Sequence, residues 1–213
     1  MQFIVIGGGG HARVVIDLLR KASHQVIGFT RATGASDGPN PPRAILGAPS
    51  LGDDESISAH PPSTVVLANG VGSVGNMGPR RDVFERFSAR GYQFPFLVHP
   101  SAIVADDVIL EPGCQIMAGA VVQIGTFVGV NSIVNTRTSV DHDCRIGAHV
   151  HLAPGVTVSG GVVIGDGAHL GPGVTVIQGI HIARAARVAA GAVVVNNVAP
   201  DVLVLGVPAR PRR

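Results

Sequence analysis

Over 213 residues the chain carries 14% charged and 4% aromatic side chains, no Trp, 29 Gly and a net charge of +2. Its basic residues are scattered and no aromatic platform accompanies them, which excludes a nucleic-acid binder. No apolar run approaches the roughly 20 residues of a membrane-spanning helix.

The chain opens with an apolar run, Phe3 to Ile6, that predicts a buried strand without a basic leader before it. Gly7-Gly8-Gly9-Gly10-His11-Ala12 follows, and Val14, Val15, Leu18 and Leu19 then mark an amphipathic helix. Val26 to Phe29 reads as a second strand, Thr30 to Pro42 as a Gly- and Pro-rich loop, and Thr64 to Ala68 as a third strand. A second glycine-rich loop spans Gly70 to Asn76, and Pro79 to Ala89 reads as a helix with Pro at its start. Strand, glycine loop, helix and strand open a Rossmann-like unit, in which glycines admit a phosphate to the N–H groups of a helix start. Thr30-Arg31 stand where a dinucleotide-binding unit carries an acid, and Gly7-x-Gly9-x-x-Ala12 is only partly its fingerprint, so NAD is not expected. A purely structural tight turn would use the same glycines.

From Ala102 to Asn197 the chain reads as sixteen unbroken hexapeptides whose third place is always Val, Ile or Leu. The first place is small or β-branched, and the sixth is Gly in nine of the sixteen. A period of six held this long predicts a solenoid of short strands turning at glycine corners. Cys114 and Cys144 both occupy first places and are expected as buried thiols; with no disulfide expected, the chain reads as cytoplasmic.

Four consecutive sixth places depart from glycine: Asn131, Arg137, Asp143 and His149. Polar residues crowd the corners in the same stretch, while Val134, Val140 and Ile146 keep the inward place. A local departure inside an obedient pattern marks a functional place. His142, between Asp141 and Asp143, has the make-up of a general base with a carboxylate to orient it; a solvated corner histidine is the alternative.

The Gly-Gly-Gly-Gly-His opening, the hexapeptides, the His142–Asp143 pair and the ending Gly206-Val207-Pro208-Ala209-Arg210 together resemble the hexapeptide-repeat nucleotide-sugar acetyltransferases. These are the 4-amino-sugar N-acetyltransferases of the bacillosamine and perosamine pathways and the related sialic acid O-acetyltransferases. The resemblance implies a Rossmann-like nucleotide-sugar-binding domain over residues 1–97. A left-handed parallel β-helix with three hexapeptides per coil then follows over 98–213. It implies acetyl-CoA as co-substrate, no metal, a homotrimer with sites shared between chains, and a place in cell-surface polysaccharide biosynthesis. Gly8, Gly9, Gly10 and His11 match the family's first loop, with Gly72, Asn76 and Arg80 near the sugar or diphosphate. His142 and Asp143 become the catalytic pair. His151, Gly160, Gly161 and Arg210 become acetyl-CoA contacts, with the Gly160 N–H as an oxyanion donor, and Arg212 and Arg213 as further candidates for the CoA phosphates. At three hexapeptides per coil His151 and His169 stack, and the two cysteines fall on different sides of the prism.

The expected reaction is direct N-acetylation of the 4-amino group of a nucleotide-linked deoxy sugar, without an acyl-enzyme. O-acetylation of a sialic-acid-like sugar is the alternative, and a non-catalytic nucleotide-sugar-binding scaffold a third reading. A zinc site built from His142, His149, His151 and His169, as in β-helix carbonic anhydrases, would leave the N-terminal glycine loops unexplained.

Overall fold

A computed structural model describes residues 1–31, 43–73 and 76–212. Most of the Gly- and Pro-rich loop, Val74 and Gly75 of the second glycine loop, and Arg213 lie outside the described residues. The chain divides into two compact units, Met1–Pro95 and Phe96–Arg213. Among the described residues no helix is long and apolar enough to cross a membrane.

The first unit is built on a three-stranded parallel sheet, β1 (Gln2–Ile6), β2 (Gln25–Thr30) and β5 (Val66–Asn69), in the order β2-β1-β5. β1 is central, so Phe3, Ile4, Val5 and Ile6 are all buried and the strand reads as a continuous apolar run. Helix α1 (Gly10–Lys21) follows the first glycine loop and buries Ala12, Val15, Ile16, Leu18 and Leu19. Val14, expected on that face, is 44% exposed, and Ile16 takes the place instead. A short hairpin, β3 (Ala44–Ile45) and β4 (Ala48–Pro49), and a 3-10 turn at Asp54–Ala59 come between β2 and β5. The third strand starts two residues later than expected because the Thr64 N–H and hydroxyl both bond back to the Pro61 carbonyl, closing a turn. Helix α2 (Gly78–Ala89) carries Pro79 in its first turn, where its missing N–H costs nothing.

The second unit is a parallel β-solenoid. Strand β6 (Leu97–Val98) already pairs with Gln115–Ile116, ahead of the first hexapeptide. Sixteen two-residue strands follow, β7 to β22, from Ile103–Val104 to Val193–Val194. From β7 to β19 each repeat strand pairs with the one 18 residues later, as Val121 with Ser139 and His151 with His169, which makes three hexapeptides per coil. Third-place side chains from Val122 to Val194 form one buried apolar cluster. Every hydrophobic third place thus points inward, and burial of this continuous stack supplies the main driving force.

From Gly113 to Gly191 every sixth place is a left-handed corner, with or without glycine. Glycines there hold φ between 66° and 73°, and Asn131, Arg137, Asp143, His149 and Ala185 hold 53° to 58°. First-place hydroxyls brace the corners from inside. Ser132 Oγ donates to the Gly147 carbonyl at 2.8 Å and accepts the Val150 N–H at 2.9 Å, while Thr126 Oγ1 donates to the Asp141 carbonyl at 3.1 Å. Cys114 and Cys144 are free, buried and placed before strands of different sheets. The expected C-terminal tail is ordered: β23 (Leu203–Leu205) pairs parallel with Arg187–Val188 and antiparallel with β24 (Arg210–Pro211). That reversal closes the edge of this one sheet to further parallel pairing.

Candidate active site

The polar stretch of the solenoid brings one acid–base pair together. His142 Nδ1 lies 2.9 Å from Asp143 Oδ2, and both side chains are largely exposed. A carboxylate can only accept, so Nδ1 carries the proton and Nε2 presents its lone pair. The Asp143 bond raises the imidazole above its ordinary 6.5, and the nearby Asp141 charge adds to this. Asp141 Oδ1 also accepts the His142 N–H at 2.8 Å, holding the residue at its corner. Asp143 sits at φ 58°, a strained angle for a side-chain-bearing residue and one that tends to persist at functional places.

The raised imidazole has a kinetic consequence. A base must be unprotonated to act, so the acid limb of the kcat/KM profile is expected above pH 6.5. Asp143→Asn, or Asp141→Asn to a smaller degree, is expected to move that limb to lower pH, because each removes a charge that favours imidazolium. Steady-state rates between pH 5 and 9 check this; a limb unmoved by either change contradicts it.

Gly160 and Gly161 stand one coil above the pair. The Gly161 N–H donates to the His142 carbonyl at 2.9 Å and is thus spent on the ladder. Among the described residues no fifth-place N–H donates a backbone ladder bond, so Pro112, Pro154 and Pro172 cost none there. The Gly160 N–H likewise makes no backbone bond, which leaves it available as an oxyanion donor. Cys144 is buried below the corner, its thiol donating to the Ser159 carbonyl at 3.3 Å and pushed up in pKa by that burial. It is no activated nucleophile.

His151 is 93% buried rather than a surface residue (7% exposed), and its Nε2 accepts from Asn135 Nδ2 at 3.0 Å. Its ring meets His169 edge-on, with centroids 5.3 Å apart. Burial, and then the Arg187 charge, lower the His169 pKa, which favours the neutral form of that ring. Asn135 had no signal in the sequence beyond lying in the polar run. His149 Nδ1 lies 3.0 Å from Asn131 Nδ2. Among the described residues no three His, Cys, Asp or Glu side chains converge as metal ligands would. Arg210 is exposed on β24, with one guanidinium nitrogen on the Ala209 carbonyl.

In the first unit, Gly9 caps α1 in an extended conformation, and a side chain at Gly9 or Gly10 would meet nothing within 4 Å. The open start of α1 therefore suits a phosphate. A Cβ at Gly8 would fall 2.6 Å from Arg31 Cγ, so the Arg31 stem lies across this loop while its guanidinium donates to Ser50 Oγ. Thr30 is buried and bonds Asp54 Oδ1 at 2.7 Å. A Cβ at Gly72 would lie 3.2 Å from His11 Cβ, so the two glycine loops meet. Asn76 Oδ1 accepts the Gly78 N–H and starts α2. Arg80, expected near the sugar or diphosphate, is wholly buried. Its Nη1 donates to the Asn69 and Val71 carbonyls at 2.9 Å each, which makes it a brace of the second glycine loop.

Residues 2–87 match the PglD N-terminal domain. The GDP-perosamine N-acetyltransferase of Escherichia coli O157:H7 is 31% identical over 94 residues, so the match spans 44% of this chain and 42% of that relative. The crystal structure of PerB from Caulobacter crescentus, in complex with CoA and GDP-perosamine, is 35% identical at a TM-score of 0.90, covering 100% of this chain and 98% of that one. The acetyltransferase domain of PglB from Neisseria gonorrhoeae, in complex with acetyl coenzyme A, is 32% identical at a TM-score of 0.89, covering 99% and 98%.

Proposed function

The chain belongs to the hexapeptide-repeat nucleotide-sugar acetyltransferases, and from that premise we propose that it moves the acetyl group of acetyl-CoA directly to the 4-amino group of a nucleotide-linked deoxy sugar. The observation that carries the reading is the His142 Nδ1–Asp143 Oδ2 contact of 2.9 Å, which leaves Nε2 as the base. The amine nitrogen attacks the thioester carbonyl and its proton passes to Nε2. Asp143 stabilises the imidazolium, and the Gly160 N–H meets the developing oxyanion. Collapse breaks the C–S bond, and the thiolate of CoA takes the proton back from His142. The open glycine loop at α1 holds the nucleotide diphosphate, with His11, Gly72 and Asn76 beside it and Arg80 as positioning residue. His151, Gly161 and Arg210 serve acetyl-CoA. The names of the similar proteins favour an amine acceptor over a hydroxyl.

The assembly proposed is the homotrimer that the family resemblance implies. The experiment is thiol release from acetyl-CoA against UDP-, GDP- and dTDP-linked 4-amino sugars and CMP-sialic acid, on protein whose mass is measured by sedimentation. Turnover of an amino sugar by a particle of three chains is expected. Turnover of CMP-sialic acid alone would replace the N-transfer reading, and a monomer would remove the shared site.

A further inference from the structure

We propose that Gly125 and Gly160 are positioning residues. The His142–Asp143 pair lies in a slot between them, and the missing side chains set where Nε2 stands. The proposal rests on the reading of His142 as the base and goes on to say what fixes it.

The fifth place of the hexapeptide does not ask for glycine. It holds Pro112, Ala118, Ile124, Val130, Thr136 and Arg184 among others, and Gly160 is the only glycine in the sixteen. Gly160 does not take a left-handed φ, so nothing in its backbone excludes a side chain. What excludes one is His142. A Cβ on Gly160 would stand 2.6 Å from Nε2, 2.7 Å from Cε1 and 3.2 Å from Cδ2, and its three nearest atoms all belong to that ring. The imidazole therefore lies flush against the Gly160 backbone, at the atom that takes the proton.

Gly125 closes the slot from the coil before. A Cβ there would fall 2.5 Å from Asp143 Oδ1 and 3.4 Å from its Cγ. Gly125 sits in the left-handed sixth place at φ 72°, so replacing it also strains the corner. Gly173 has the same place at φ 69° with nothing within 4 Å of its would-be Cβ, so it carries the strain without the clash. A side chain at 160 would push the ring, and one at 125 would push the carboxylate that orients it. Displacing a reacting group by about 1 Å costs on the order of 10²-fold in rate.

The test compares Gly160→Ala, Gly125→Ala, Gly173→Ala and His142→Ala in kcat, KM for acetyl-CoA, pH profile and melting temperature. Alanine keeps the amide N–H, so a loss at 160 is not a loss of the oxyanion donor. The expected result is a fall in kcat of about 10²-fold for Gly160→Ala and Gly125→Ala, with KM for acetyl-CoA retained. Both acid limbs should move down toward pH 6.5 as the Asp143 bond is disturbed. Gly160→Ala should melt with the parent, and Gly125→Ala with Gly173→Ala, which should keep its activity. Parental kcat and pH profile in both slot variants, with His142→Ala inactive, would overturn the slot and leave the base in place. A Gly125→Ala loss no greater than that of Gly173→Ala would reduce Gly125 to backbone strain and overturn its part. An active His142→Ala would instead remove the premise.

Discussion

His142→Ala is expected to lower kcat by about 10² to 10⁴-fold, the usual worth of a positioned general base. The side chain is exposed at a corner and contributes nothing to the apolar stack, so the melting temperature should stay at that of the parent. KM for acetyl-CoA should hold as well, because the imidazole acts on the acceptor proton. Cys144 is buried with a raised pKa, and His151 is buried against Asn135, so neither takes its place. Thiol-release kinetics with an amino-sugar acceptor read this directly. A loss below about fivefold would place the base elsewhere.

The second large effect is expected in the first unit. Arg80→Ala should destabilise the protein by about 3 kcal/mol and raise KM for the nucleotide sugar, with KM for acetyl-CoA unchanged. Arg80 is fully buried and exchanges bonds with the end of β5: Nη1 serves the Asn69 and Val71 carbonyls, and the Arg80 carbonyl accepts Asn69 Nδ2 at 2.8 Å. Asn69 Oδ1 in turn accepts the Val71 N–H at 3.1 Å. Truncation leaves two carbonyls short of a partner, at roughly 1–3 kcal/mol each, and empties a large volume. The loop released is the one that sets Gly72 against His11. Urea denaturation and acceptor titration check both parts; a variant as stable as the parent would show that the brace is dispensable.

What was legible in the sequence was what repeats. The third-place Val, Ile and Leu specify the inward stack, and the four sixth places without glycine point to the corner that carries His142 and Asp143. The stacking of short strands follows from the period of six, while the parallel prism and the choice of Asp143 over Asp141 come from the family resemblance. What the sequence hid was what depends on partners far along the chain. Nothing adjacent to His151 says that Asn135 will bond its ring. Arg80 reads equally as a ligand contact or a loop brace until the carbonyls of Asn69 and Val71 are placed around it. Val14 and Ile16 are both apolar, and only the packing of α1 on the sheet decides which is buried. The two glycines flanking the pair look like corner glycines until a Cβ is placed on each, and the clash then separates Gly125 from Gly173 at nearly equal φ.

The most direct measurement is a crystal structure of the unmodified protein with CoA and a nucleotide-linked 4-amino sugar bound. The expected result places the amine nitrogen about 3 Å from His142 Nε2, with Nδ1 still on Asp143 and the CoA sulfur on the other side of the nitrogen. An amine held by another side chain, with the His142 ring turned toward solvent, would contradict the account.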